Sequence, residues 1–228
     1  MPSVRAALFP AALAAALTAW GGGGQAAQCP RPPDLRVAVD VRTSQAKTDY
    51  RYDQSTAEIT RLHAKDRSAE SRRHGGKILG LTRVNYGYAM SAEYATMQMA
   101  DGAVCLWVTA VNATLDIKSL VVYVSSDYRQ GGCEFAAILQ HENSHVQRTA
   151  ALLRPYAAKM EDALREAVRR LNPRTGRNAD RLRKAATAEL EKRAAAVMTA
   201  MERERERVND QLDTVDNYRR TAARCGSW

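Results

Sequence analysis

Histidine is scarce in this chain: four in 228 residues, and two of them stand four positions apart at His141 and His145. Aromatic residues make up only 6% of the composition, and no basic stripe is interleaved with them. That argues against a nucleic-acid reader, even at a formal net charge of +9. No Gly-x-Gly-x-x-Gly fingerprint, P-loop or internal repeat is present, so no motif points to a Rossmann or P-loop nucleotide site or to a solenoid. The four cysteines, Cys29, Cys105, Cys133 and Cys225, form no Cys-x-x-Cys pair, so a cysteine-held zinc is not expected. Beyond residue 27 there is no apolar run long enough to cross a bilayer.

The one long apolar run is at the start. Residues 6–19 are 14 apolar or small residues after Arg5, followed by Gly21 to Gly24 and then Ala26-Ala27. This is the layout of a secretory signal peptide, with cleavage expected near residue 27. Gln28 occupies the position where a lipobox requires a small residue, which argues against lipidation at Cys29. Export to a periplasmic or extracellular setting makes two disulfides the expected state of four cysteines. Three pairings are open. Cys29 with Cys225 and Cys105 with Cys133 is favoured, because Cys29 and Cys225 lie at the two ends of the mature chain. A basic balance favours contact with an anionic envelope surface.

Patterning divides the remainder into a mainly β portion (28–132) and a helical portion (133–228), read together as one domain. Leu35, Val37, Val39 and Val41 alternate with more polar residues, as in a half-buried strand. Residues 43–77 are polar and weakly patterned, compatible with strand and loop or a short helix. Alternation returns at Val84, Tyr86, Tyr88 and Met90. Ala100-Asp101-Gly102 signals a hairpin turn between 92–99 and 103–114. Val104–Val111 and Leu120–Val124 read as two further strands. After Gly131-Gly132 the period becomes helical and continues to Leu171, where Asn172-Pro173 breaks it. A second helical pattern runs from Leu182 to Val215. Its run Glu202–Arg207, of alternating sign, reads as a solvated helix face. The expected fold is α+β: a small antiparallel sheet packed on the helix that carries the histidines, with a long antiparallel helical hairpin.

Residues 138–146 read Ile-Leu-Gln-His-Glu-Asn-Ser-His-Val. Positions i and i+4 of a helix lie about 40° apart, so His141 and His145 present their imidazoles to one point. With Glu142 this is the HExxH pattern, in which two histidines hold zinc and the glutamate serves as general base. Glu142 projects about 100° from His141 around the helix, so it can reach a water molecule without competing as a ligand. Zn2+ is the expected cofactor, with a third protein ligand and one position left for water. Gln147, Arg148 and Thr149 do not supply that ligand. His145 lies 27 residues before Asn172, so an antiparallel partner helix reaches its level from about residue 205 onward. Glu206, Asp210, Asp213, Asp216 and Tyr218 lie in that stretch. Asp213 is the first choice, with Asp216 and Glu206 as substitutes. Asp213 or Thr214 could instead cap a short last helix. Tyr218 is a candidate donor to a developing oxyanion. His63 and His74 lie in a polar segment and are weaker candidates.

Tyr123-Val124, Tyr128, Gly132-Cys133, the 138–146 motif, Asn172-Pro173, Asp213-Thr214, Asn217-Tyr218 and the closing Cys225 and Trp228 resemble a family of exported bacterial HExxH proteins regarded as zincin-like, zinc-dependent metallopeptidases. The resemblance covers roughly residues 100–228. It implies a strand, Leu120–Val124, at a sheet edge beside the active helix, open to an extended peptide substrate. The expected function is hydrolysis of peptide bonds in peptides or proteins. The competing expectation is a non-catalytic envelope binding or scaffold protein with a structural or vestigial metal site. A fourth protein ligand would favour that second reading.

Overall fold

A computed structural model describes residues 29–66, 77–226 and 228. The expected signal peptide and His74 lie outside the described residues. In chain order the elements are β1 (Ala38–Gln45), β2 (Asp49–Arg51), α1 (Thr56–Asp66), β3 (Gly80–Gln98), β4 (Val104–Val124), α2 (Cys133–Ala151), α3 (Leu153–Leu171), β5 (Arg174–Gly176), α4 (Ala179–Asp210) and α5 (Val215–Ala222).

The Asp101-Gly102 turn closes a hairpin of two long strands. Gly102 takes a positive φ of 80°, which favours glycine, and Met99 N–H donates to the Ala103 carbonyl. β3 and β4 pair antiparallel from Gln98/Val104 to Gly80/Val124. Where the sequence suggested separate short strands, there are two continuous ones. Alternation along β4 is broken by two register shifts, which leave Thr109 and Lys118 as extra residues opposite β3. Each extra residue reverses the in–out phase. Leu106 and Val108, then Val111, Ala113, Leu115 and Ile117, then Leu120, Val122 and Val124 are all buried. The bulges keep one apolar face turned inward over 21 residues, and they hide its continuity from a period-2 reading.

The expectation of an antiparallel sheet is overturned. β1 pairs with β4 in parallel from Ala38/Ala110 to Gln45/Ile117, and β2 pairs in parallel from Asp49/Val121 to Arg51/Tyr123. Only β3 and β5 run antiparallel to β4, so the five-stranded sheet is mixed. Alternation reports which face a residue occupies and not strand direction, and only the tight turn at 101–102 carried directional information. The implied edge position of Leu120–Val124 is also wrong. Residues 121–123 are flanked by β2 on one side and β3 on the other, so β4 is internal there.

The inward face of β4 packs on α3 and α4. Leu153, Tyr156, Ala157, Met160, Leu164, Ala167, Val168 and Leu171 form the buried stripe of α3, at spacings of one, three and four. Leu190, Ala194 and Met201 of α4 close the other side. Each large side chain buried here contributes about 1.5–3 kcal/mol. The helical run read from 133 to 171 is two helices, interrupted at Leu152. Pro155 accounts for the break, since it has no N–H for the Ala151 carbonyl and its ring crowds that oxygen. α3 and α4 run antiparallel, with Tyr156 donating to the Ala200 carbonyl and Arg148, further back on α2, to that of Val208. At the turn between them, Asn172 completes the sheet edge. Val108 falls between the segments of β4 paired to β5 and to β1, and the Asn172 amide both accepts from its N–H and donates to its carbonyl, each at 2.8 Å.

The disulfides are Cys29–Cys105 and Cys133–Cys225, which corrects the favoured pairing. Cys29 and Cys225 are not joined to each other. Cys29 is joined to the start of β4, and the C-terminal segment folds back onto the first turn of α2.

Candidate metal centre

His141 and His145 project from α2 where it crosses the end of the sheet. A second cluster of Val122, Val124, Phe135 and Ile138 buries the other face of that helix. Asp213 is delivered by the turn between α4 and α5. Leu212 is buried there, and both Leu212 and Asp213 donate their N–H to the Asn209 carbonyl. Thr214 then caps α5 by accepting from Asn217 N–H, and Asn217 donates back to the Leu212 carbonyl. The capping role weighed for this stretch therefore belongs to Thr214, and Asp213 remains available to the histidines.

Three atoms converge. His141 Nε2, His145 Nε2 and Asp213 Oδ1 are each 3.2 Å from the other two. At that separation the two ring nitrogens cannot both point a hydrogen at the other. A triangle of this size matches one face of a tetrahedron whose centre lies about 2.0 Å from each corner, and zinc–nitrogen and zinc–oxygen bonds run about 2.0–2.2 Å. The group can hold a metal ion. Among the described residues no fourth His, Cys, Asp or Glu joins it. Three ligands are the count of a catalytic zinc site, whereas a structural site closes with four.

The surroundings prepare these donors. Asn209 Oδ1 lies 3.0 Å from His145 Nδ1 and can only accept. In the neutral, metal-binding form of the ring that places the hydrogen on Nδ1 and leaves Nε2 its lone pair, whereas in the imidazolium form Nε2 donates to Asp213 Oδ1. Burial alone would raise the Asp213 carboxyl, but hydrogen bonds with His141 and His145 outweigh it and hold the group well below the usual range. Burial pulls the His145 imidazolium down, while Asp213 and Glu142 outweigh it and leave a net upward shift. The Tyr218 hydroxyl donates to Asp213 Oδ1 at 2.9 Å, and its ring lies 5.2 Å from that of His141. Tyr218 is 47% exposed, so it stands on the solvent side of the cluster.

Glu142 takes a different direction from α2. It is 5% exposed and wedged under β3, where Thr82 Oγ1 donates to its Oε2 at 2.8 Å and also lies 3.2 Å from its main-chain carbonyl. Burial pushes its carboxyl upward; the two histidines and the Thr82 bond oppose this without cancelling it. Gly80 makes the arrangement sterically feasible. A Cβ there would lie 2.6 Å from Glu142 Oε1 and 2.7 Å from Ile138 Cγ2.

Of the other candidates, Glu206 and Asp216 are exposed and outside the cluster, and Asp216 lies 3.8 Å from Arg219. Asp210 is exposed. His63 is on α1, apart from the metal-binding group. Sequence reasoning missed Asn209, Thr82 and Gly80. Asn209 had a legible signal, one helical turn before Asp213; nothing local marked the other two. Compared with protein-family models, curated proteins and solved structures, the chain shows no significant match, so the family resemblance adds no identification.

Proposed function

We propose that this protein is an exported zinc-dependent metallopeptidase. The observation that carries the reading is the equilateral 3.2 Å triangle of His141, His145 and Asp213 with the buried carboxyl of Glu142 on the same helix. Zinc held by those three residues would supply a Lewis acid that polarises a peptide carbonyl and brings a water molecule's pKa toward neutrality. Asn209 sets the His145 tautomer needed to hold it. Glu142 takes the proton from the attacking water and returns it to the leaving amine. Its burial raises the carboxyl toward the range useful for both transfers. Thr82 fixes the carboxyl through one of its oxygens. The Tyr218 hydroxyl, which donates to Asp213, exchanges that acceptor for a developing oxyanion. Two disulfides fit a non-cytoplasmic setting, and the periplasm or exterior is the proposed location.

The test is metal analysis of the purified protein together with casein or peptide cleavage by wild type and Glu142→Gln. One zinc per chain in both, with cleavage lost in the variant, supports the mechanism. Unchanged cleavage in Glu142→Gln removes the glutamate from its role, and failure of the wild type to retain any divalent metal removes the site.

A further inference from the structure

We propose that the turn end of the α3–α4 hairpin is a docking surface for an anionic phospholipid bilayer. Residues 165–184 carry eight Lys or Arg and two carboxylates, Glu166 and Asp180. The other described residues carry twenty-two of each sign. The entire positive excess of the described chain therefore sits on this one end. The cations lie on both helices and on the turn between them, and seven of the eight are exposed. Among the described residues, Arg177, Arg181 and Lys184 make no ion pair, whereas Arg169 and Arg170 share Glu166. The end is held rigidly, since β5 pairs with Val104–Leu106 and Asn172 grips Val108.

The chemistry favours phosphate groups. Seven of the eight cations are Arg, whose planar fork matches phosphate oxygens. The segment contains no Tyr, Trp or Phe on which a nucleic-acid base could stack. It also exposes no large hydrophobic side chain, so contact stops at the headgroups without insertion. Disulfide-forming compartments present phospholipid surfaces more commonly than nucleic acid. α4 links this end to the metal centre, with Arg181 near its start and Asn209 against His145 near its finish. Those positions are about 40 Å apart along the helix, so a docked protein would hold its metal site well clear of the bilayer. The proposal does not depend on the metallopeptidase reading.

Co-sedimentation of the full protein with phosphatidylglycerol-containing vesicles, and with pure phosphatidylcholine vesicles, tests it. The combined variant Arg169→Gln, Arg177→Gln, Arg181→Gln, Lys184→Gln removes four exposed charges. The control Arg36→Gln, Arg129→Gln, Arg154→Gln, Arg203→Gln removes four exposed charges elsewhere. Circular dichroism checks that both fold. Each cation near an anionic bilayer is worth about fivefold in partitioning, so the tip variant should bind about 600-fold more weakly. The control should lose no more than about tenfold, and binding should fall with added salt. Equal losses in the two variants, no binding to phosphatidylglycerol vesicles, or tighter binding to a DNA duplex at the same salt would each overturn the assignment.

Discussion

Gly80→Ala should separate metal binding from catalysis. The added Cβ would sit 2.6 Å from Glu142 Oε1, 2.8 Å from Glu142 Cγ and 2.7 Å from Ile138 Cγ2. All three contacts are shorter than real Cβ atoms tolerate, so the carboxyl must swing or α2 must lift from β3. Lifting α2 is opposed by its buried Phe135, Ala137 and Ile138, so the side chain moves first. Two costs follow. Overpacking at a buried contact costs about 1–3 kcal/mol. Loss of the Thr82–Glu142 bond, charge-assisted when the carboxyl is ionised, adds about 1.5–3 kcal/mol. Partial relaxation places the total destabilisation at about 2–4 kcal/mol, read from urea unfolding. The atoms nearest the added Cβ belong to Glu142 and Ile138 and not to His141, His145 or Asp213, so zinc stoichiometry should stay at the wild-type value. A displaced general base should lower kcat by about 10²–10⁴. A variant within about 0.5 kcal/mol of wild type and cleaving peptide normally would refute the claim that β3 fixes Glu142 through this close approach.

Three further outcomes are expected. Asn209→Ala should weaken zinc affinity by about 10–100-fold in competition with a chromophoric chelator, because His145 loses the partner that sets its tautomer. Removing the Cys133–Cys225 bridge with paired serines should cost about 2–5 kcal/mol of stability. It should also lower zinc affinity, since the bridge ties α5, and with it the Asp213 turn, to α2; calorimetric unfolding with and without zinc measures both. Finally, the Asp127 carboxyl is held down by hydrogen bonds from Thr56, and that of Glu58 by bonds from Ser55. Depressed carboxylates contribute stability above their unfolded values and lose it as pH falls through the folded ones. Hydrogen exchange in α1 should therefore accelerate, relative to other elements, as pH falls below the ordinary carboxylate range.

Several features are legible locally. A spacing of four places His141 and His145 on one helix face in any context. Asp101-Gly102 specifies a reversal because glycine alone adopts that φ without strain. The rise per residue of two antiparallel helices, counted from Asn172, brought the 205–218 stretch level with His145, and Asp213 lies within it. The interruption at Leu152 is likewise local, since Pro155 lies in the first turn of α3.

The sequence by itself thus determined which residues share a face and where the chain turns, because both follow from backbone geometry over a few residues. The tertiary structure decided the rest. It set the parallel partners of β4, the bulges at Thr109 and Lys118 that preserve one buried face, and the pairing of Cys29 with Cys105. It also chose Asp213 over Asp216 and Glu206, and brought Gly80, Thr82 and Asn209 to the histidine helix. These choices join residues far apart in the chain. Close packing and the satisfaction of buried polar atoms select such partners, and neither leaves a periodic trace along the sequence.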